Sequence, residues 1–137
     1  MYFSDDCQRP LPRGTALGFG PIHQGIVSYL PSGQQVILNK SMKSKRPVVS
    51  PPEEFTGLPV KYVRPVPQTG EERARINQNA WNLVRAGAPW TVFDNCQDFV
   101  SLCYDGKPGS KTRSAAVVGI GLVLGLLVLT GGIRQAA

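Results

Sequence analysis

A run of 19 residues without a charge, Ala115–Ile133, is the feature that most constrains how this chain can fold. Lys111 and Arg113 precede the run, and Arg134 follows it. About 20 apolar residues are enough for a helix to cross the hydrocarbon core of a bilayer. Helices buried in soluble domains are rarely so uniformly apolar, and a signal peptide lies at the other end of a chain. The sequence therefore predicts one C-terminal membrane helix over 115–133, followed by a tail over 134–137.

Charges on the two sides of this run predict its orientation. The chain has 15 Lys and Arg against 9 Asp and Glu, and Arg134 is the only charged residue after Arg113. Because positive charge beside a span stays on the cytoplasmic side, we expect residues 1–113 to lie in the cytoplasm, tethered to membrane lipid by a single-pass anchor. Gly121 and Gly125 form a pair of small residues four apart, which would permit a weak homodimer through the membrane helix.

The part of the chain ahead of the span has room for one domain of ordinary size. A hydrophobic content of 42% excludes wholesale disorder, while 12 prolines and 15 glycines indicate short elements rather than a long-helix bundle. An α+β or β-rich layout is therefore expected. The cations are scattered, apart from a cluster in 40–46 that is typical of a solvated loop, so no nucleic-acid partner is expected. Cys7, Cys96 and Cys103 match no zinc or redox spacing, so the sequence indicates neither a metal nor a cofactor.

Local patterns predict a hairpin and one further strand. Gly25–Leu30 and Gln35–Asn39 are apolar and β-branched, and the turn signal Pro31-Ser32-Gly33 separates them. The remaining assignments are a loose lead-in over 1–12, a basic loop over 40–52 and a strand within 58–66.

Two helices are expected after these strands. Thr69 and Glu72 form a capping box ahead of a helical pattern over Glu71–Ala86. Asp94 and Asn95 are good N-cap residues for a second, shorter helix, which places Cys96 in its first turn.

Cys96 and His23 are the candidate chemical residues. The N-terminal amides of a helix favour a thiolate and can hold an oxyanion that forms when the thiolate attacks a carbonyl. His23 is the only histidine of the chain and stands just before a predicted strand, where it would serve as the base for Cys96. The alternative interpretation is that Cys96 is a small buried apolar residue and that His23 is a loop residue without a task.

Three segments together resemble the lecithin:retinol acyltransferase-like family: His23-Gln-Gly-Ile-Val, Val36-Ile37-Leu38-Asn39 and Asn95-Cys96-Gln97-Asp98-Phe99-Val100. The resemblance covers about residues 13–104. It implies a circularly permuted papain-like fold, in which a small antiparallel sheet packs on two helices. We accordingly expect a catalytic domain over 13–106, followed by a basic linker over 107–114.

The resemblance also implies the roles of the site residues. Cys96 would be the nucleophile and His23 the general base. Relatives often orient the base with a second histidine, which is missing here, so Asn39 is the expected substitute and Gln35 the alternative. Asp98 stands where many relatives have a histidine. Because an inward acid would raise the pKa of the thiol, we expect it on the solvent side.

The expected function is acyl transfer or hydrolysis on a lipid ester or amide, through a thioester at Cys96. The alternatives are an amidase or peptidase on the same scaffold, or an inactive, membrane-anchored interaction module. Four aromatic residues are candidates either for an acyl groove or for core packing: Tyr62, Trp81, Trp90 and Phe93.

Overall fold

The computed structural model describes residues 1–4, 8–91 and 94–109. Within these residues the chain forms an α+β fold with a five-stranded sheet, two α-helices and one short 3-10 helix. The strands are β1 (Ala16–Phe19), β2 (His23–Tyr29), β3 (Gln35–Lys40), β4 (Pro47–Ser50) and β5 (Val60–Tyr62). The helices are the 3-10 helix (Pro52–Phe55), α1 (Gly70–Ala86) and α2 (Cys96–Asp105).

The sheet is antiparallel throughout, with the strand order β4-β3-β2-β1-β5. It confirms the predicted hairpin of β2 and β3, whose turn contains Gly33 at a φ of 88° that favours glycine. Strand β4 lies within the predicted basic loop, and β1 was not predicted at all. Both are short, and β1 is buried along its whole length, so it shows no alternation of apolar and polar residues.

Each face of the sheet covers a separate apolar cluster. On one face, residues such as Ile26 and Leu38 pack against α1 and α2, as the sequence predicts for a sheet on two helices. On the other face, Phe19 and Ile37 pack with Phe55 of the 3-10 helix. Side chains alternate between the two faces along β2 and β3, so the choice of register decides which residues face the helices.

Tyr2 and Leu11 of the lead-in pack on the second face, so the expectation of a loose lead-in is wrong for its described residues, 1–4 and 8–12. Leu11 is buried, and Tyr2 packs beside it. The backbone N–H of Tyr2 donates to Oε1 of Gln35 over 2.6 Å, and Nε2 of Gln35 donates back to the carbonyl oxygen of Tyr2 over 3.0 Å. These contacts lie 33 residues apart in sequence, so a local pattern cannot reveal them.

Both helices begin where the sequence predicts, within one residue. At α1, Oγ1 of Thr69 accepts from the backbone N–H of Glu72 over 3.0 Å. The carboxylate of Glu72 accepts from the backbone N–H of Gln68 rather than from that of Thr69. The helix ends at Ala86 and is capped by Gly87, which has a left-handed φ of 67°.

The predicted membrane helix over 115–133 and most of the linker over 107–114 lie outside the described residues. Among the helices that the structure does describe, none has both the length and the apolar character to cross a bilayer.

Candidate active site

Asn95 sets the start of the helix that carries Cys96. Its Oδ1 accepts from the backbone N–H of Gln97 over 2.9 Å and from that of Asp98 over 3.4 Å. Oδ2 of Asp98 in turn accepts from the backbone N–H of Asn95 over 3.3 Å, which completes a capping box. These bonds confirm Cys96 as the first residue of α2, and they use two of the amides that the sequence analysis assigned to an oxyanion.

The Cys96 thiol is buried against the beginning of β2. It is 8% exposed, and Sγ donates to the carbonyl oxygen of Ile22 over 3.3 Å. Burial raises the pKa of the Cys96 thiol, and the nearby amides of Gln24, Gln97 and Cys96 itself only partly offset this shift. The negative charge of Asp98 raises the pKa of Cys96 further. The amides at the helix terminus favour the thiolate, as expected, but desolvation outweighs them, so the net shift of the Cys96 pKa is upward.

His23 is held by Asn39, the residue expected to orient it. Nε2 of His23 lies 3.1 Å from Oδ1 of Asn39. Asn39 is buried, and its Nδ2 donates to the carbonyl oxygen of Ile37 and to Oγ of Ser50, over 3.1 and 3.0 Å. Because both bonds engage the amide nitrogen, Oδ1 faces the imidazole and accepts from Nε2–H. The other ring nitrogen, Nδ1, is then the one that can accept a proton.

The imidazole is also desolvated. Its ring stacks on that of Phe55, with centroids 5.6 Å apart and an interplanar angle of 23°. Burial lowers the pKa of His23, and the hydrogen bond to Asn39 partly opposes this change. A neutral imidazole therefore faces the site at neutral pH, which is the state that a general base needs.

One cavity joins the two candidate catalytic residues. It has a volume of about 420 Å³, and both His23 and Cys96 line it. Ile22, Met42 and Trp90 give the cavity apolar walls. A second cavity of about 770 Å³ adjoins the first, since His23 lines both. Asn39 and Leu58 also line this second cavity. The sequence-predicted residues Cys96, His23 and Asn39 are thus brought together in one region.

Gln35, the alternative orienting residue, lies away from the site. It shares a strand and a sheet face with Asn39, but its side chain bonds to Tyr2 and to the hydroxyl of Tyr29. Along β2, Tyr29 lies six residues from His23, at the opposite end of the strand. The role of Gln35 is to hold the lead-in.

Asp98 is buried, so its predicted position on the solvent side is wrong. The side chain is 1% exposed. Its two carboxylate oxygens accept from the backbone N–H groups of Asn95 and Gly109, the latter over 3.0 Å. Capping thus explains how an acid is accommodated next to the thiol, since hydrogen bonds compensate for its burial.

The four candidate aromatic residues divide between different tasks. Trp90 lines the cavity beside Cys96. Trp81 packs against the helix-side core, and its Nε1 donates to Oγ of Ser28 over 2.9 Å. Tyr62 lies on the edge strand β5, and Phe93 lies outside the described residues. Of the three that are described, only Trp90 is placed to contact a molecule bound beside the thiol.

An ion pair between Lys40 and Asp94 connects the end of β3 to the segment just before α2. The sequence did not predict this pair. Nζ of Lys40 lies 2.8 Å from Oδ2 of Asp94, and the Lys40 side chain is 3% exposed. Lys40 directly follows Asn39, and Asp94 stands two residues before Cys96. Because side chains alternate along a strand, Lys40 lies on the same sheet face as Leu38, toward the helices. The sequence pattern instead assigned Lys40 to the basic loop over 40–52, so this alternation was not used to place it.

Asp94→Asn should destabilise the fold by about 2 to 3 kcal/mol, because it leaves the ammonium of Lys40 buried without a charged partner. Asp94 is 37% exposed, which keeps the expected cost at the lower end for a buried pair. Lys40→Met should cost less than about 1 kcal/mol, since its aliphatic stem lies among Leu83, Phe99 and Leu102. Denaturant unfolding of both variants measures the difference. Equal losses of stability in the two variants would contradict the expectation that an unpaired buried ammonium destabilises the fold more than an apolar side chain in its place.

Comparisons of the chain with protein-family models, with curated proteins and with solved structures gave no match.

Proposed function

We propose that this protein is a membrane-anchored thiol acyltransferase or hydrolase that acts on a lipid ester or amide through a thioester at Cys96. The observation that carries the proposal is the shared cavity of Cys96 and His23, with His23 fixed by Asn39. A thiol, a neutral imidazole and an amide that orients the imidazole are the parts of a Cys-His-Asn nucleophile.

The reaction would begin with a protonated thiol and a neutral imidazole. Nδ1 of His23 takes the proton of Cys96 as Sγ forms a bond to the carbonyl carbon of the substrate. The negative charge that develops on the carbonyl oxygen is stabilised by backbone amides near the sulfur, those of Cys96 and Gln24. His23 then gives the proton to the departing alcohol or amine, which leaves a thioester. Water or an acceptor attacks this thioester, with His23 again as the base, and restores the thiol.

Lipid is the proposed substrate class because of the walls of the cavity and because of the apolar run 115–133. Met42 and Trp90 offer apolar contact to an acyl chain beside Cys96. The membrane helix expected over 115–133 would hold the domain at a lipid surface. Resistance of the full chain to alkaline carbonate extraction tests this anchor.

One observation favours the inactive interaction module as a second candidate. The Cys96 thiol donates to the carbonyl oxygen of Ile22, and the pKa of the thiol is raised. A thiol in this state is protonated and bonded away from the imidazole at neutral pH. Activity therefore requires that the bound substrate, or a small rotation of the side chain, transfers the thiol from Ile22 to His23.

Trapping the acyl-enzyme decides among these functions. The full chain is incubated with phosphatidylcholine in mixed micelles, quenched in acid and weighed intact. The proposal expects a mass increase equal to one fatty acyl group, located at Cys96 by peptide mapping and lost on treatment with hydroxylamine. An adduct from a peptide amide instead would indicate the amidase or peptidase, and no adduct from any acyl donor would favour the inactive module.

Alkylation of Cys96 should depend steeply on pH. Because the pKa of Cys96 is raised and that of His23 is lowered, both groups are neutral at pH 7, and no thiolate-imidazolium pair exists in the resting site. The rate of iodoacetamide labelling should therefore rise about tenfold per pH unit from pH 6 until the thiol ionises, above its usual range near pH 9. Mass spectrometry follows the reaction. A plateau of fast labelling near pH 6 would show a preformed ion pair and contradict these shifts.

A further inference from the structure

Exposed apolar side chains surround the opening of the cavity that contains Cys96. Ile22 is 71% exposed and Met42 is 56% exposed, and both line this cavity. Leu58, which lines the adjoining cavity, is 44% exposed. They come from three separate segments, the β1-β2 turn, the loop after β3 and the loop before β5. We call these three residues the rim.

Positive charge accompanies the rim. Lys43 lines both cavities, and none of the described residues in the wall of the Cys96 cavity is acidic. Lys45 and Arg46 are exposed in the same loop, and the adjoining cavity contributes one acid, Glu54. Apolar side chains beside a cationic loop match the chemistry of a bilayer surface that contains anionic lipid, where acyl chains lie below negative head groups.

The exit of the chain from the domain restricts how far this surface can be from a membrane. The backbone N–H of Gly109 donates to Asp98, so the last described residue lies beside the first turns of α2, the end that carries Cys96. Ala115, where the expected membrane helix starts, follows only six residues later. Six extended residues span at most about 20 Å. An inserted helix would therefore keep the cavity end of the domain near the head groups.

We propose that the rim, together with Lys43, is a docking face through which the domain rests on an anionic bilayer, with the cavity of Cys96 open toward the lipid. This proposal rests on the proposed function for its lipid substrate, but docking itself does not require a reactive thiol. A lipid would then need to leave the bilayer only in part for its ester to reach Cys96. Its acyl chain would pass directly from the membrane interior to the apolar walls of the cavity.

A fluorescent label at the rim tests this docking without catalysis. The full chain carries Cys7→Ser and Cys96→Ala, which leaves Cys103, a fully buried thiol, as the only other cysteine. Met42→Cys is labelled with an environment-sensitive dye and reconstituted into vesicles of phosphatidylcholine, with or without about 30% phosphatidylserine. Leu58→Cys serves as a second labelled position, and Ala74→Cys, exposed on α1, serves as the matched control.

The label at Met42 or Leu58 should be quenched by spin-labelled lipid at least about twofold more than the label at Ala74, because only the rim would enter the interface. Phosphatidylserine should increase this difference, and Lys43→Gln should lower the docking equilibrium about fivefold. Equal quenching at the rim and at Ala74 would overturn the docking face, and equal quenching with and without phosphatidylserine would overturn its preference for anionic lipid. If the domain docks but no thioester can be trapped at Cys96, the proposed enzymatic function is rejected and the docking face is supported.

Discussion

Cys96→Ala should abolish thioester formation because it removes the sulfur, and His23→Ala should lower the rate of thioester formation by a factor on the order of 10³ or more, because a nucleophile and its base act as one unit. Both side chains line one cavity, and neither belongs to the apolar clusters that stabilise the sheet. The folds should therefore survive. Intact-mass measurement of the acyl-enzyme, together with circular dichroism, separates a loss of chemistry from a loss of structure.

Cys103→Ala is the matched control for the choice of thiol. Cys103 is fully buried in the helix-side core, and burial raises its pKa to about 12. It should therefore form no thioester, and its loss should lower stability slightly without changing the acylation rate of the folded protein. If Cys103→Ala lost thioester formation while Cys96→Ala retained it, the wrong thiol would have been assigned.

Asn39→Ala should reduce the acylation rate by a factor on the order of 10 to 10³, since the ring of His23 would lose the acceptor that fixes its tautomer. It should also cost about 1 to 2 kcal/mol of stability, because Oγ of Ser50 and the carbonyl oxygen of Ile37 lose a buried donor. Asn39→Asp separates a role in orienting His23 from a purely structural role, because only the former changes the pH dependence of the rate. A carboxylate beside His23 should raise the pKa of the imidazole and shift the acidic limb of the pH-rate profile upward.

Gln35→Ala should have the opposite signature, with a loss of about 2 kcal/mol in stability and an unchanged rate in the folded protein. Its side chain bonds Tyr2 and Tyr29 and does not contact His23. A lower rate for Gln35→Ala at full folding, with a normal rate for Asn39→Ala, would show that the orienting residue is misassigned.

The register of β3 also decides where a second histidine could act. Leu38 is fully buried among the residues that contact the helices, and Ile37 is fully buried in the opposite cluster. A histidine at either position would bury a polar ring in an apolar core. Asn39 is therefore the position on β3 from which a side chain meets His23.

Features encoded by short-range signals could be predicted from the sequence. The turn at Gly33 and the caps at Thr69 and Asn95 each involve residues a few positions apart, so the β2-β3 hairpin and both helices were found with nearly correct ends. The cap at Asn95 alone fixes Cys96 in the first turn of α2. For this reason the place of Cys96 at the start of α2 could be predicted from the sequence.

Features that depend on distant contacts could not be predicted in the same way. The burial of Lys40 depends on Asp94, more than 50 residues away, and the thiol of Cys96 meets Ile22 across 74 positions. The direction of the pKa shift at Cys96 follows from how deeply the folded chain covers the sulfur, which no spacing of residues records. The position of Cys96 in the helix gives the sign of one contribution to its pKa shift, and burial decides the direction of the total shift.

The packing of Tyr2, Leu11 and Gly109 has a practical consequence for expressing the domain. A fragment cut to residues 13–106, the boundaries that the sequence suggests, would lack Leu11 and Tyr2 and would uncover the apolar cluster beneath them. It would also lack Gly109, whose N–H is bonded to the buried carboxylate of Asp98. A clone that covers residues 1–109 retains both closures, so it is the shorter version to choose for crystallisation or NMR when the apolar C-terminal run is to be removed.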